Sequence, residues 1–294
     1  MNELGEILQK TIQFFKAKGI DSARLDAELI FAHALKIQRI QLYTQHNKPL
    51  SEIELENCRE LVRRRTKGEP VAYLTGSKWF YHSEFKVSPA VLIPRPETET
   101  LVEHVVKFIS DRKLKSVSIL DLGAGTGCIG ISIFKELVKK EIQIKLVAVE
   151  KSEAAFEILK ENANRLIPEP AQQGDCQFIL GDATTVDLTF AKGFDVIAAN
   201  PPYIESNDSN VDAHVRQFEP HSALFAEDKG MKDIKEWSTH ALKFLNSGGL
   251  MMFEMGWEQA NPARQWFESL GLINVEIKKD LSEHDRFAQG IKRN

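Results

Sequence analysis

The chain lacks the sequence features of several broad classes of protein. It has only three cysteines among 294 residues, and no Cys-x-x-Cys pair, so neither a disulfide framework nor a metal site is expected. No apolar run approaches the ~20 residues that a membrane span needs. A net charge of −4 argues against a general nucleic-acid binder. Because Glu3 and Glu6 stand where a secretory signal would be basic, we expect a cytoplasmic protein that is not associated with membranes.

The first 75 residues have the periodicity of α-helices. Apolar residues recur at helical spacing over residues 4–15 and again over residues 21–35. A third helix is predicted over residues 51–65, because Ser51 and Glu54 form a capping-box pattern at its start. We therefore predict an N-terminal helical domain over residues 1–75.

The pattern then changes from helices to strands. Short apolar and aromatic runs over residues 76–97 predict a β-hairpin that links two domains. From residue 98 to residue 294, buried strands alternate with helices, which implies a mostly parallel sheet with right-handed crossovers. The last two predicted strands, 272–277 and 286–291, have no long helix between them, so we expect an antiparallel pair at the sheet edge. The predicted fold class is α/β and Rossmann-like.

A glycine-rich segment, Asp121–Gly127, follows the first predicted strand of the sheet. Its glycines permit a sharp turn and a close approach of a ligand to a helix N-terminus. The dinucleotide fingerprint would need another glycine where this chain has Cys128, and the Gly-Lys-Ser/Thr ending of a phosphate loop is absent. The carboxylate of Asp121 would repel a pyrophosphate, but it suits the ammonium and sulfonium groups of S-adenosylmethionine.

Two more carboxylates end the next two predicted strands. Glu150 is placed to accept hydrogen bonds from both ribose hydroxyls, and Asp182 is placed to accept one from an adenine amino group. Three carboxylates at successive strand ends fit one adenosyl ligand better than three separate surface roles. S-adenosylmethionine is therefore the predicted cofactor.

The segment Asn200-Pro201-Pro202-Tyr203 follows the fourth predicted strand. An NH2 group on a carbonyl or an aromatic ring is a poor nucleophile, because its lone pair is delocalised. The side-chain oxygen of Asn200 and a backbone carbonyl near Pro201 are predicted to accept hydrogen bonds from the two N–H groups of this NH2. These bonds would also stabilise the positive charge that develops on its nitrogen during attack. The prolines exclude competing N–H donors, and Tyr203 supplies a flat surface. This logic applies equally to a glutamine amide and to a nucleobase.

Together these motifs resemble the class I S-adenosylmethionine-dependent methyltransferases that act on amide or exocyclic amino nitrogens. Residues 68–76 (GEPVAYLTG), 92–99 (LIPRPETE) and 218–220 (FEP) are similar to the release factor glutamine methyltransferases in particular, and the resemblance covers nearly the whole chain. It implies a Rossmann-like methyltransferase sheet with an N-terminal domain that docks the substrate. It also implies that the acceptor is the glutamine of the Gly-Gly-Gln motif in peptide chain release factors.

The resemblance further implies the roles of individual residues. With Asp121 added from the argument above, the predicted cofactor site consists of Asp121, Gly123, Ala124, Gly125, Thr126, Gly127, Glu150, Asp182, Ala183 and Asn200. The predicted catalytic residues are Asn200, Pro201 and Tyr203. The predicted substrate site consists of Asn200, Pro201, Pro202, Tyr203 and Arg95. Because the family often has a bulky side chain at position 183, only a backbone contact is expected from Ala183.

Two other functions are compatible with parts of the pattern. A DNA or RNA amino-methyltransferase acting on adenine or cytosine would use the same four residues on a flipped base, but it should also have a basic cleft. A binding protein that retains only the fold would not need the carboxylates. The basic run Arg63–Arg65 is either a solvated helix end or a contact with an anionic partner. We expect a monomer that does not bind nucleic acid directly.

Overall fold

The computed structural model describes residues 3–167 and 174–294. The chain divides into two compact units. The first comprises Met1–Ser77 together with Asp212–Phe218, and the second comprises Lys78–Val211 together with Glu219–Asn294.

The first unit is helical. Its N-terminal segment contains α1 (Leu4–Ala17), α2 (Ala23–Leu35), α3 (Gln41–Thr44), α4 (Glu52–Thr66) and α5 (Val71–Thr75). The three long helices confirm the sequence prediction, and Ser51 and Glu54 form the expected capping box at the start of α4. The short helices α3 and α5 were not predicted, because four or five residues are too few to show a helical period. The core of this unit contains the apolar face of α1, including Leu4, Leu8 and Phe15.

The second unit begins with a small two-stranded sheet and a long helix. Strands β1 (Ser77–Phe80) and β2 (Ser83–Lys86) pair with each other, as the predicted hairpin requires. The apolar run at residues 91–93 lies within the predicted β region, but it forms no strand. The N–H group of Ile93 instead donates to Oε2 of Glu219, 3.1 Å away, and the proline that follows has no N–H group to donate to a strand.

A seven-stranded sheet forms the centre of the second unit. Its strands are β3 (Ser116–Leu122), β4 (Gln143–Glu150), β5 (Gly174–Leu180), β6 (Phe194–Ala199), β9 (Leu245–Glu254), β10 (Leu272–Lys279) and β11 (Asp285–Lys292). Two further short strands, β7 (Ile204–Glu205) and β8 (Phe225–Ala226), pair with each other outside it. The remaining helices are α6 (Glu99–Asp111), α7 (Cys128–Lys139), α8 (Glu153–Leu166), α9 (Ala213–Phe218), α10 (Lys232–Ala241) and α11 (Ala260–Ser269). Of these, α9 lies in the first unit and α11 was not predicted from the sequence.

The strand order across the sheet is β10-β11-β9-β6-β3-β4-β5. Strands β3 to β6 and β9 are parallel, whereas β11 is antiparallel to both β9 and β10. The predicted α/β class, with an antiparallel final strand, is confirmed. The chain moves outward from β3 to β5 and returns to β6 on the other side of β3. Strands β3 and β6 therefore flank a topological switch point, where ligands bind in folds of this kind.

Apolar side chains cover both faces of the sheet. One core cluster contains Val117 and Ile119 of β3 with residues of α6 and α7, and the other contains Leu120 and Leu122 with residues of α10 and α11. Because successive side chains of a strand point to opposite faces, the continuously buried part of β3, residues 119–122, requires apolar side chains on both faces. Its sequence is Ile-Leu-Asp-Leu, so the buried carboxyl of Asp121 is an exception.

Candidate active site

A cavity of about 720 Å³ lies at the carboxyl ends of β3, β4, β5 and β6. All of its lining residues belong to the second unit. The segments that follow these four strands contribute to its wall, as do residues just before α6 and on α10. This is the position expected for a ligand at the switch point of an open α/β sheet.

The glycine loop forms one wall of the cavity. Gly123, Gly125 and Gly127 have φ angles of +66°, +55° and +78°, values that L side chains rarely adopt. A Cβ atom on Gly123 would also lie 2.5 Å from the ring of Trp237, which lines the cavity. Position 123 therefore requires a glycine for two reasons, its positive φ angle and the neighbouring indole of Trp237. Sequence reasoning missed Trp237, since a tryptophan on an amphipathic helix has no distinctive pattern.

Asp121 lies beneath this loop and is fully buried. Its Oδ2 atom accepts a hydrogen bond from the N–H group of Gly130, 2.9 Å away, but within the described residues Oδ1 has no hydrogen-bond partner. Burial raises the pKa of this carboxyl to about 7, and the negative charge of Glu150 adds to that effect. A buried carboxylate oxygen without a partner is costly, which favours the protonated form of this carboxyl.

Glu150 joins the glycine loop to the next strand. Its Oε2 atom accepts from the N–H group of Gly125 and its Oε1 atom accepts from that of Ser152, each at 2.8 Å. An ionised carboxylate has about four acceptor positions, so two remain for ligand hydroxyls. The predicted role in binding a ribose is compatible with these contacts and stays a prediction.

Asp182 is more fully engaged than the sequence suggested. Its Oδ1 atom accepts from the N–H and hydroxyl groups of Thr184, at 2.8 and 2.6 Å, and its Oδ2 atom lies 2.8 Å from Nζ of Lys151. These bonds lower its pKa to about 2, with the bond to Lys151 the largest cause. The carboxylate is therefore ionised at any physiological pH. Ala183 beside it is buried and lines the cavity.

Asn200 and Tyr203 are linked through two residues that the sequence analysis did not assign to the site. Nδ2 of Asn200 donates to Oγ1 of Thr98 over 3.4 Å, and the Thr98 hydroxyl donates to Oε2 of Glu254 over 2.7 Å. The other oxygen of Glu254 accepts from the Tyr203 hydroxyl at 3.1 Å. Burial raises the pKa of Glu254 to about 7 and raises the pKa of Tyr203 as well.

A signal for Glu254 was present in the sequence. It ends an apolar strand with a carboxylate, as Glu150 does, and the same argument would have placed it at this edge of the sheet. Thr98 lies inside the segment LIPRPETE, which was used only as a family motif.

Arg95 is held by a buried carboxylate. Its guanidinium donates to Oε1 of Glu219 at 2.6 Å, and the other oxygen of Glu219 accepts from the N–H group of Ile93. Glu219 belongs to the segment FEP, so the structure joins two motifs that are far apart in the sequence. Arg95 lines the cavity beside Thr98.

Most of the predicted site residues meet in this one cavity. The predicted residues in its wall are Arg95, Gly123, Ala124, Gly125, Thr126, Glu150, Asp182, Ala183, Asn200 and Pro202. Asp121, Gly127, Pro201 and Tyr203 do not contribute to that wall and lie in or beside the same loops. Their assigned roles stay predictions.

The basic run at the end of α4 is neutralised within the first unit. Arg64 pairs with Glu69, Arg65 with Asp26, and Arg63 with Glu60 and Glu56. These pairs favour the interpretation of the run as a helix end over that of a contact for an anionic partner.

Across residues 3–167 and 174–294, no group of three or more His, Cys, Asp or Glu side chains is arranged to hold a metal ion. In the same ranges, no helix has both the length and the apolar character to cross a membrane.

Comparison with known proteins agrees with this fold. Residues 96–230 match the family model of the methyltransferase small domain, and residues 6–76 match that of the PrmC N-terminal domain. The catalytic domain of hMettl16 has a similar fold, with a TM-score of 0.51, 13% identity, and coverage of 70% of this chain and 72% of that one. The fold and the site define an S-adenosylmethionine-dependent methyltransferase.

Two curated relatives show the family of methyltransferases to which the chain belongs. The release factor glutamine methyltransferase of Aliivibrio fischeri is 36% identical over 97% of this chain and 95% of its own length. The release factor glutamine methyltransferase of Vibrio cholerae is 37% identical over 96% and 94%. The chain belongs to the release factor glutamine methyltransferase family.

Proposed function

We propose that this protein transfers a methyl group from S-adenosylmethionine to the side-chain amide nitrogen of the glutamine in the Gly-Gly-Gln motif of peptide chain release factors. Similarity over nearly the full length to release factor glutamine methyltransferases supports the substrate class. The observation that carries the chemistry is the position of Asn200. Its amide borders the cavity beside the glycine loop, and its NH2 group is bonded to Thr98.

The residues of the cavity suit the cofactor. S-adenosylmethionine, when bound, supplies a methyl group activated by a positively charged sulfur. The acceptor positions left on Glu150 match a ligand with two hydroxyls. Asp121 is fully buried and does not border the cavity, so its contact with the ammonium group stays a prediction. The side-chain-free backbone of Gly123 and Gly125 permits close approach. We assign Asp182 and Ala183 to the adenine end of the site.

The acceptor amide needs two hydrogen-bond acceptors that hold its NH2 group. Oδ1 of Asn200 is one, because Nδ2 of the same side chain already donates to Thr98. We assign the second to the backbone carbonyl near Pro201, and a stacking surface to Tyr203. Fixing both N–H bonds orients the nitrogen lone pair and stabilises the charge that develops on nitrogen during attack. We assign Pro202 and Arg95 to the substrate side of the cavity.

We further propose that the protein is organised in three parts. Residues 1–75 would help to dock the release factor, residues 76–97 would link the domains, and residues 98–294 would carry out methyl transfer. We expect the protein to act as a monomer. We place this activity in the cytoplasm, without direct binding of nucleic acid.

The direct test is mass spectrometry of a release factor incubated with the protein and S-adenosylmethionine. One added methyl group on the Gly-Gly-Gln glutamine is expected. In a parallel reaction with labelled cofactor and DNA or RNA, label in the nucleic acid and none in the release factor would refute the proposal.

Asn200→Ala serves as the matched variant for this reaction. It should lower turnover by roughly 10²-fold or more, as for the loss of an oriented polar group at a reacting centre. The affinity for the cofactor, measured by calorimetry, should change little. An unchanged rate would remove the role assigned to Asn200.

A further inference from the structure

We propose that Thr98 and Glu254 are positioning residues that fix which end of the Asn200 amide faces the acceptor. This inference rests on the proposed role of Asn200 as a hydrogen-bond acceptor for the substrate NH2 group. The two ends of an amide have nearly the same shape, so packing alone does not select one of them. The selection must come from the polarity of the groups around it.

The hydrogen bonds around Thr98 set that polarity. A threonine hydroxyl has one hydrogen to donate, and Thr98 donates it to Oε2 of Glu254 over 2.7 Å. Only lone pairs remain on Oγ1 for Asn200, so Asn200 must direct its NH2 group toward Thr98 and its Oδ1 atom away from it. Thr98 and Glu254 are 2% and 1% exposed, so bulk water does not compete for these bonds.

Glu254 is the origin of this directionality because both of its oxygens accept. One accepts from Thr98 and the other from the Tyr203 hydroxyl at 3.1 Å. The ionised carboxylate of Glu254 accepts hydrogen bonds at both oxygens, whereas the protonated carboxyl can donate one to the Thr98 hydroxyl. If Glu254 donated, the Thr98 hydroxyl would be free to donate to Asn200, and the amide would be stable in the reversed orientation. A reversed amide would present a donor to the donor NH2 group of the substrate.

The groups that face Glu254 determine the pH at which it is protonated and the Asn200 amide can reverse. Burial raises its pKa to about 7 and the charge of Glu97 adds to this, whereas the Thr98 bond, the charge of Arg286 and the Tyr203 bond oppose the shift. The Cys128 thiol also interacts with Glu254, and burial raises the pKa of that thiol to about 12, so it stays neutral in this range. We therefore expect turnover at saturating cofactor to fall as the pH decreases below about 7.

The decisive variant is Thr98→Val, which removes the hydroxyl and nearly preserves the shape. Turnover should fall about 10-fold, less than for Asn200→Ala, because Asn200 remains but is no longer oriented. Thr98→Ser should recover most of the activity. Thr100→Val is the matched control: the Thr100 hydroxyl is buried two residues away and has no hydrogen-bond partner among the described residues, so its removal should leave turnover unchanged.

Three measurements separate positioning from a structural role. Cofactor affinity by calorimetry should be the same in Thr98→Val and in the wild type. In an Asn200→Ala background, Thr98→Val should cause no further loss, since there is no amide left to orient. The acidic decline of turnover should also be absent in that background, and this pH profile needs no Thr98 variant to fold.

The outcomes distinguish this inference from the proposed function. A wild-type enzyme that methylates release factor, together with a Thr98→Val variant of normal turnover, would overturn the positioning role alone. An equal loss from Thr98→Val with and without Asn200 would do the same. Absence of methylation by the wild-type protein would instead refute the proposed function.

Discussion

The buried carboxyl of Asp121 should make the stability of the protein depend on pH. Replacing it by asparagine keeps the shape and removes the titrating group. In the folded protein its pKa is raised to about 7, above the ordinary value of 3.8, because the carboxyl is fully buried and the negative charge of Glu150 adds to the effect. Its stabilising contribution is therefore fully present below pH 3.8 and is lost as the pH rises through 7.

The size of the effect follows from that pKa. Between pH 5 and pH 7 the folded state holds a proton that the unfolded chain has released, and each pH unit changes the free energy of unfolding by about 1.4 kcal/mol. Asp121 should therefore account for a decrease of about 2 to 3 kcal/mol in the free energy of unfolding between pH 5 and pH 8. Glu254, whose pKa is also raised to about 7, should cause a similar decrease that the variant retains.

Urea denaturation at a series of pH values, without cofactor, measures this directly. Asp121→Asn should show a clearly shallower decrease of stability from pH 5 to pH 8 than the wild type. The matched control is Asp182→Asn. The pKa of Asp182 is lowered to about 2, chiefly by Lys151, so its titration is complete below pH 5 and the wild-type slope should remain. Equal slopes for Asp121→Asn and the wild type would refute the titration of Asp121 in this range.

Two further variants test other parts of the site. Glu150→Ala should weaken cofactor binding in calorimetry by about 10- to 100-fold, because hydrogen bonds to a charged group are lost, and turnover at saturating cofactor should change little. An effect on turnover alone would contradict the assigned role. Asn162→Ala should lower the free energy of unfolding by about 2 to 3 kcal/mol. The buried Asn162 amide bonds both backbone groups of Lys86 and the carbonyl of Thr126, so unchanged urea denaturation would show that these bonds contribute nothing.

Much of the fold could be predicted because its signals are local. The capping box at Ser51, the alternation of apolar strands and helices, and the glycines before α7 each depend on a few neighbouring residues. The elements that were missed or misassigned had no such signal. The helix α5 is only five residues long, and the apolar run at residues 91–93 has the composition of a strand although its backbone bonds a distant glutamate.

Some residues of the candidate site also had a signal in the sequence, whereas their hydrogen-bond partners had none. Glu150 and Asn200 were predicted because each ends a strand, and parallel strands bring their carboxyl ends to one edge of the sheet. Asp182 was also placed correctly at that edge, but its bonds to Lys151 and Thr184 could not be predicted from its position.

The sequence by itself determined the class of fold, the position of the glycine loop and the kind of nitrogen that accepts the methyl group, since these depend on residue type and on order along the chain. Only the tertiary structure decided which polar atoms are satisfied and in which direction. Thr98 and Glu254 are 156 residues apart and are joined by one hydrogen bond that orients Asn200. A bond of this kind depends on distance and on the direction of a single proton, and neither is encoded in local sequence.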